Sequence, residues 1–335
     1  MKIDFLDTDQ KVVVVAEIGN NHEGDCDVAE KMIRTAAGCG VDAVKFQTFR
    51  TENYVSKDDI VRYDRLKSFE LSYDGFRRLK RVADSEGVVF LSTPFDLESA
   101  HFLNEIVPAF KISSGDNTFL PLIELIAGFG KPIILSSGLS GLNDLKMIKG
   151  FIESVCINPT SKLAILQCVS SYPTPVGEVN LAVIPTLRRE LECTVGYSDH
   201  TLGIDAAVYS ICFGARIVEK HFTLDKQYSD FRDHQLSADP EEMKHLVERI
   251  RSCEMMMGDD IKKVEKSEQC AQKNLRRSII AKRTLSVETT ISLDDICWVR
   301  PAGGYKPGNE YLIVGKKVKR EIKKGEMIRP EHITE

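Results

Sequence analysis

His200 in GYSDHTLG and His221 in VEKHFTLD offer the chain's most direct route to chemistry. Each stands at the end of a short apolar run, and the two runs are consecutive. Successive strand ends place two such imidazoles side by side, within the span of one divalent ion. Two imidazoles suit Mn2+, Fe2+, Co2+ or Zn2+ and leave positions open for water and substrate. The competing reading makes either ring a hydrogen-bonded core histidine. Of the other histidines, His22 and His234 fall in loops on the same side, as candidate supporting groups. His101 and His245 fall in helical stretches and read as surface residues.

A second set carries charge and hydroxyls. Lys45 in VKFQTF and Lys111 in FKISSGD, with Ser114, Ser136, Ser170 and Ser198, would give a phosphate or carboxylate both countercharge and hydrogen-bond donors. The bland alternative is that both lysines are structural ion-pair partners. Gln47 and Thr93 close two further apolar runs. Glu17, Glu219 and Asp233 are candidate acids or bases. Glu219 precedes His221 by two residues, so strand alternation aims both to one side.

These groups need a scaffold that gathers many strand ends. From residue 12 to residue 257 a Val-, Ile- or Phe-rich run is repeatedly followed by a polar turn and an amphipathic helical stretch. The runs cover 12–19, 42–49, 88–95, 109–115, 132–138, 162–170, 194–200 and 216–222. Eight strand-helix pairs in this length predict an α/β fold, a (β/α)8 TIM barrel, whose catalytic groups sit at the C-terminal ends of the strands. Continuous apolar strands fit a parallel sheet covered on both faces. The doubly wound open sheet is the rival, but no Gly-rich dinucleotide turn follows the first run. All eight strand ends carry polar groups, which predicts a single equipped pocket. The insertion TENYVSKDDIVRYDRLKSFELS after the second run is placed to act as a lid.

The predicted barrel domain spans 1–257, with a charged linker at 258–277. Short β-like runs and Gly- and Pro-containing turns at 278–335 predict a small β-rich domain. Apolar residues make up 42% of the 335 and charged residues 28%, which suits a soluble globular chain. No apolar run is long enough for a transmembrane helix, and MKIDFLDTDQK has acids where a signal peptide needs a basic region. Nine scattered cysteines predict reduced thiols in a cytoplasmic protein. The net charge of −5 gives no support to nucleic-acid binding.

The strings AEIGNNHEGD, VKFQTF, FLSTPFD, FKISSGD, YPTP, GYSDHTLG and EKHFTLD, with a late RPAGG segment, resemble the sialic acid synthase family. The resemblance runs from about residue 10 to the C-terminus and includes an antifreeze-like (SAF) domain. It implies condensation of phosphoenolpyruvate with an open-chain N-acyl hexosamine, N-acetylmannosamine first, giving a nine-carbon 2-keto-3-deoxy acid. Legionaminate and pseudaminate synthases, which take 2,4-diacetamido-trideoxyhexoses, are sibling expectations. A Schiff-base aldolase using Lys45, Lys111 or Lys220, and a non-catalytic glycan-binding protein, are readings from other classes.

Position by position, His200 and His221 resemble metal ligands, for Mn2+ foremost, with Mg2+ or Co2+ as alternatives. Lys45, Lys111, Ser114, Ser136 and Ser198 resemble the groups around phosphoenolpyruvate. Tyr172 and Asp233 resemble sugar contacts, and Arg300 resembles an arginine that reaches the partner subunit's site in a domain-swapped homodimer. Asp116 stands where the family often has glutamate, and Ser170 where it often has asparagine. FRDH replaces a usual Gly-Pro-Asp-His. Glu17 is the expected water-positioning base.

Overall fold

The computed structural model describes residues 1–156 and 162–334 of the chain. These fall into two compact units, Met1–Gly258 and Asp259–Glu335. In the first unit, eight parallel strands form one sheet: Val13–Gly19, Ala43–Thr48, Val89–Pro94, Phe110–Ile112, Ile133–Ser136, Leu163–Cys168, Thr194–Asp199 and Ile217–His221. They are called here the first to eighth strands. The first pairs with the eighth, and the third and fourth, at the two ends of the ladder, pack on each other. The sheet is thereby closed into the expected barrel.

The run of valines in the first strand is explained by burial on both faces. Val13 and Val15 point into the barrel, where they pack with Leu91, Ile134, Leu166 and Ile217. Val14, Ala16 and Ile18 point outward and pack beneath the helices. Met1, Ile3 and Leu6, from a short hairpin pairing Lys2–Ile3 with Leu6–Asp7, join the interior cluster and fill it from the N-terminal end. That hairpin carries no periodic signal long enough to predict.

Helices form where an amphipathic stripe meets a cap. In Tyr73–Ser85, Phe76, Leu79, Val82 and Ala83 are buried on one face, and the Ser72 side chain accepts from Gly75 N–H. The helix at Leu97–Leu103 is capped by Asp96, whose carboxylate also accepts from Arg50 N–H at 2.8 Å. One aspartate thus fastens the loop after the second strand to the loop after the third. The inserted segment is itself helical at Thr51–Tyr54 and Ile60–Phe69. The run expected at 109–115 ends as a strand at Ile112 and continues as a 3-10 turn, Ser114–Asp116.

In the second unit, Lys266–Leu275 is a helix inside the stretch expected to be a linker. Ser278–Ala281 pairs antiparallel with Ile296–Val299 over a core that includes Ile279, Leu285, Ile313 and Ile328. Among the described residues no helix is long and apolar enough to cross a membrane.

Candidate active site

Strand register sets the chemistry of the barrel mouth. In the apolar interior layer Ala43 and Ile217 face inward; two residues further along their strands come Lys45 and Glu219. Charge therefore begins immediately above the apolar floor. Glu17 pairs in register with both Lys45 and His221, and Glu219 with Ser198. The result is a cavity of about 770 Å³ at the C-terminal strand ends.

Apart from Lys220, every barrel residue expected to bind or react lines this cavity. Glu17, Lys45, Gln47 and Thr93 come from the first three strands, and Lys111, Ser114, Asp116 and Ser136 from the fourth and fifth and their turns. Ser170, Tyr172, Ser198, His200, His221 and Asp233 complete the ring. Arg300 belongs to the second unit, exposed immediately after Ile296–Val299. His22 is buried outside the cavity lining, with Nδ1 accepting from Gly24 N–H at 3.0 Å. His234 is buried against Glu23 and Thr223, while His101 and His245 are exposed on helices.

Four charged side chains make a buried network. Lys45 Nζ lies 2.6 Å from Glu17 Oε2 and 3.6 Å from Glu219 Oε2, and it donates to Thr93 at 3.3 Å. Lys111 Nζ is 3.9 Å from Glu219 Oε1 and donates to Ser136 Oγ at 2.7 Å. Ser198 donates to Glu219 at 2.9 Å, Gln47 to Glu17 at 3.1 Å, and Asn20 to Gln47 at 2.8 Å. The structural ion pair that competed with a binding role is therefore real for Lys45.

Burial pulls the Lys45 ammonium down, but Glu17 and Glu219 outweigh it and leave its pKa raised. Burial pulls Lys111 down too, and there it prevails over the attraction of the more distant Glu219. Glu17 is raised by burial against the pull of Lys45. Burial likewise raises Asp116, which accepts from Ser113 Oγ at 2.5 Å.

On one side of the cavity the chain leaves room beside hydroxyls. A Cβ on Gly138 would lie 2.3 Å from Ser170 Oγ and 2.7 Å from Ser114 Oγ, so only glycine fits there. Gly138 N–H donates to Ser114 Oγ at 3.1 Å. Ser170 Oγ is buried with no hydrogen-bond partner among the described residues. An unpaired buried hydroxyl is costly unless a ligand satisfies it.

The two histidines stand as their strand positions require, with ring centroids 5.4 Å apart. His200 Nδ1 lies 2.8 Å from Val169 O; a carbonyl only accepts, so Nδ1 carries a proton, and although burial pulls this ring's pKa down, Cys168, the Val169 carbonyl and Glu219 outweigh it and leave it raised. His221 Nδ1 is buried without a partner, and burial, with His200 and Lys45 adding to it, holds this ring neutral. The two imidazoles are the side chains here that could offer nitrogen donors to a divalent ion. Among the described residues no group of three or more His, Cys, Asp or Glu side chains is placed to hold a metal ion.

Several lining residues were not singled out from sequence. Arg62 and Arg65, three apart on the inserted helix, present guanidinium groups from exposed positions at the mouth, with Tyr54 beneath Arg62. Their spacing inside the expected lid was the available signal. Arg232 lies over the Tyr172 ring at 4.8 Å and 3.3 Å from Asp233 Oδ1. Cys168 Sγ is 3.8 Å from His200 Nδ1. Lys220, by contrast, points out of the barrel to Asp199 at 2.9 Å and does not line the cavity.

Residues 32–262 match the model of the NeuB family, and residues 276–334 match the SAF domain. The chain is 37% identical to N,N'-diacetyllegionaminic acid synthase of Campylobacter jejuni, over 96% of this chain and 99% of that protein. It is 33% identical to human N-acetylneuraminate-9-phosphate synthase, over 95% and 91% of the two chains. The solved N-acetylneuraminic acid synthetase of Leptospira borgpetersenii superposes with a TM-score of 0.74 at 30% identity, over 81% of this chain and 94% of that one. The closed barrel, the equipped strand ends and these matches along nearly the whole length agree: the chain belongs to the NeuB family and carries a SAF domain after its barrel.

Proposed function

We propose that the enzyme condenses phosphoenolpyruvate with the aldehyde of an open-chain N-acyl hexosamine, releasing phosphate and forming a nine-carbon 2-keto-3-deoxy acid. The observation that carries this reading is the cradle around Gly138. Ser170 Oγ is buried and unpaired, glycine alone leaves space beside it, and Ser114 shares that space. A multiply charged phosphate ester supplies the acceptor oxygens that this hydroxyl lacks.

Lys111, held to Ser136, neutralises the ester's anionic groups, and Lys45 does the same from the second strand while remaining paired with Glu17. Both are fixed before substrate arrives, so little reorganisation accompanies the reaction. A divalent ion bound by His200 and His221, Mn2+ foremost, would act as a Lewis acid on the acceptor's aldehyde oxygen. Carbon C3 of phosphoenolpyruvate bonds to that aldehyde carbon, water adds at C2, and the bond from C2 to the phosphate oxygen breaks. Glu17 positions the water and takes its proton, with Asp116 as the second carboxyl in the cavity. Tyr172, Asp233 and Arg232 form the wall that meets the sugar, and Arg62 and Arg65 close over it. The reading includes a domain-swapped homodimer, in which Arg300 of the partner subunit reaches the N-acyl group.

N-acetylmannosamine is the first acceptor expected. The greater identity with the legionaminic acid synthase, 37% against 33% for the human relative, favours a 2,4-diacetamido-trideoxyhexose as the alternative. The test is phosphate release from phosphoenolpyruvate with Mn2+ across a panel of both sugar types. Release with one acceptor supports the reading and names the sugar; no release with any acceptor overturns it. A Schiff-base aldolase is the second reading, favoured by the lowered Lys111 ammonium. Borohydride trapping of a keto acid on Lys111 would establish that chemistry instead.

A further inference from the structure

On the outer helical layer, away from the cavity, Cys212 Sγ lies 3.6 Å from Cys253 Sγ. Cys212 sits in the 3-10 turn Ile211–Phe213, just before the eighth strand, and Cys253 in the last turns of the helix Pro240–Met257. Cys212 follows, and Cys253 lies near the C-terminal end of, a helix that runs back from the catalytic face, so the pair belongs to the opposite end of the barrel. Cys212 is exposed and Cys253 half-buried.

We propose that Cys212 and Cys253 form a redox-controlled disulfide that staples the last helix of the barrel to the turn before its eighth strand. Two sulfurs at this separation need a small side-chain rotation to reach bonding distance, about 2 Å. The oxidant is a low-molecular-weight disulfide such as oxidised glutathione. The exposed Cys212 thiolate attacks one sulfur of that disulfide, forming a mixed disulfide and expelling one small thiol. The Cys253 thiolate then attacks the Cys212 sulfur and expels the second. Two protein thiols lose two electrons and two protons; one external disulfide becomes two thiols. The order follows exposure. It agrees with the raised Cys253 thiol, which burial and then its neighbour Cys212 hold up.

The bond would close a loop between positions 41 apart, containing the eighth strand with His221 and the Arg232–Asp233 wall. The chain-entropy gain for such a loop predicts a Tm rise of roughly 5 °C or more. The cavity lies at the other end of the barrel, so turnover stays unchanged. The sequence reading of uniformly reduced, scattered thiols thus omits one pair that the fold brings together.

The experiment treats the full-length protein with oxidised glutathione and then counts thiols, maps peptides and measures Tm. The expected result is two fewer free thiols than the original nine, a Cys212–Cys253 linked peptide and the Tm rise. Cys212→Ser and Cys253→Ser should each abolish the linked peptide and the Tm rise. A glutathione adduct on Cys212 that never resolves, a linkage through the exposed Cys270, or a linked pair with no change in Tm would each overturn the proposal.

Discussion

Lys45 Nζ stands 2.6 Å from Glu17 Oε2, and the two residues are register partners on the first and second strands. Because Glu219 approaches the same ammonium at 3.6 Å, one lysine balances two buried carboxylates. Its structural and catalytic parts are separable. Lys45→Met leaves Glu17 without its ion-pair partner and Glu219 with only the more distant Lys111, and should cost about 3–5 kcal/mol in denaturant unfolding. Adding Glu17→Gln should recover much of that stability. Phosphate release should fall by a factor of about a hundred or more in both proteins. Recovered activity in the double variant would show that Lys45 serves the fold alone.

His221→Ala should abolish turnover in a way that added Mn2+ does not restore. Removal of divalent ions with EDTA should silence the wild-type enzyme, with recovery on adding Mn2+. The folded state should tolerate the substitution, because His221 Nδ1 holds no hydrogen-bond partner among the described residues. Near-normal activity in His221→Ala would remove the metal assignment.

Gly138→Ala places a methyl group 2.3 Å from Ser170 Oγ, inside the space assigned to the phosphate. The KM for phosphoenolpyruvate should rise at least about tenfold, with a smaller change in the KM for the sugar. Ser170→Ala should raise the same KM while leaving stability equal or slightly higher, since it removes a buried hydroxyl without a partner. A Ser170→Ala enzyme with unchanged phosphoenolpyruvate kinetics would show that the ester binds elsewhere.

His22 predicts a pH dependence of stability. Burial, opposed by Asp25, lowers its pKa from the ordinary 6.5 to about 4. The native state therefore refuses a proton that the unfolded chain accepts as pH falls below about 6.5. Stability contributed by the neutral ring is complete above that pH and is lost progressively down to about pH 4. Between pH 7 and pH 5 the wild type should lose about 2 kcal/mol more than His22→Gln in urea unfolding. Equal slopes for the two proteins would contradict the burial effect.

The alternation of strands and helices and the polar strand ends were legible from residue types and their spacing. So was the end of each strand that carries Lys45, Lys111, His200 and His221. Those features are local, because the period of a strand and the position of a residue at its end are written within a few neighbouring residues. Glu17 after four valines was legible in the same way, as an inward position above an apolar floor.

Tertiary structure alone decided what these groups touch. Lys45 sits between two carboxylates because strand register brings the first, second and eighth strands together. His22, only five positions beyond Glu17, is turned into packing beside Phe46 instead of the cavity. Gly138 meets Ser114 and Ser170 from neighbouring strand ends, and Cys212 meets Cys253 across 41 positions. Such distances depend on how the barrel closes, and no local pattern of residue types encodes them.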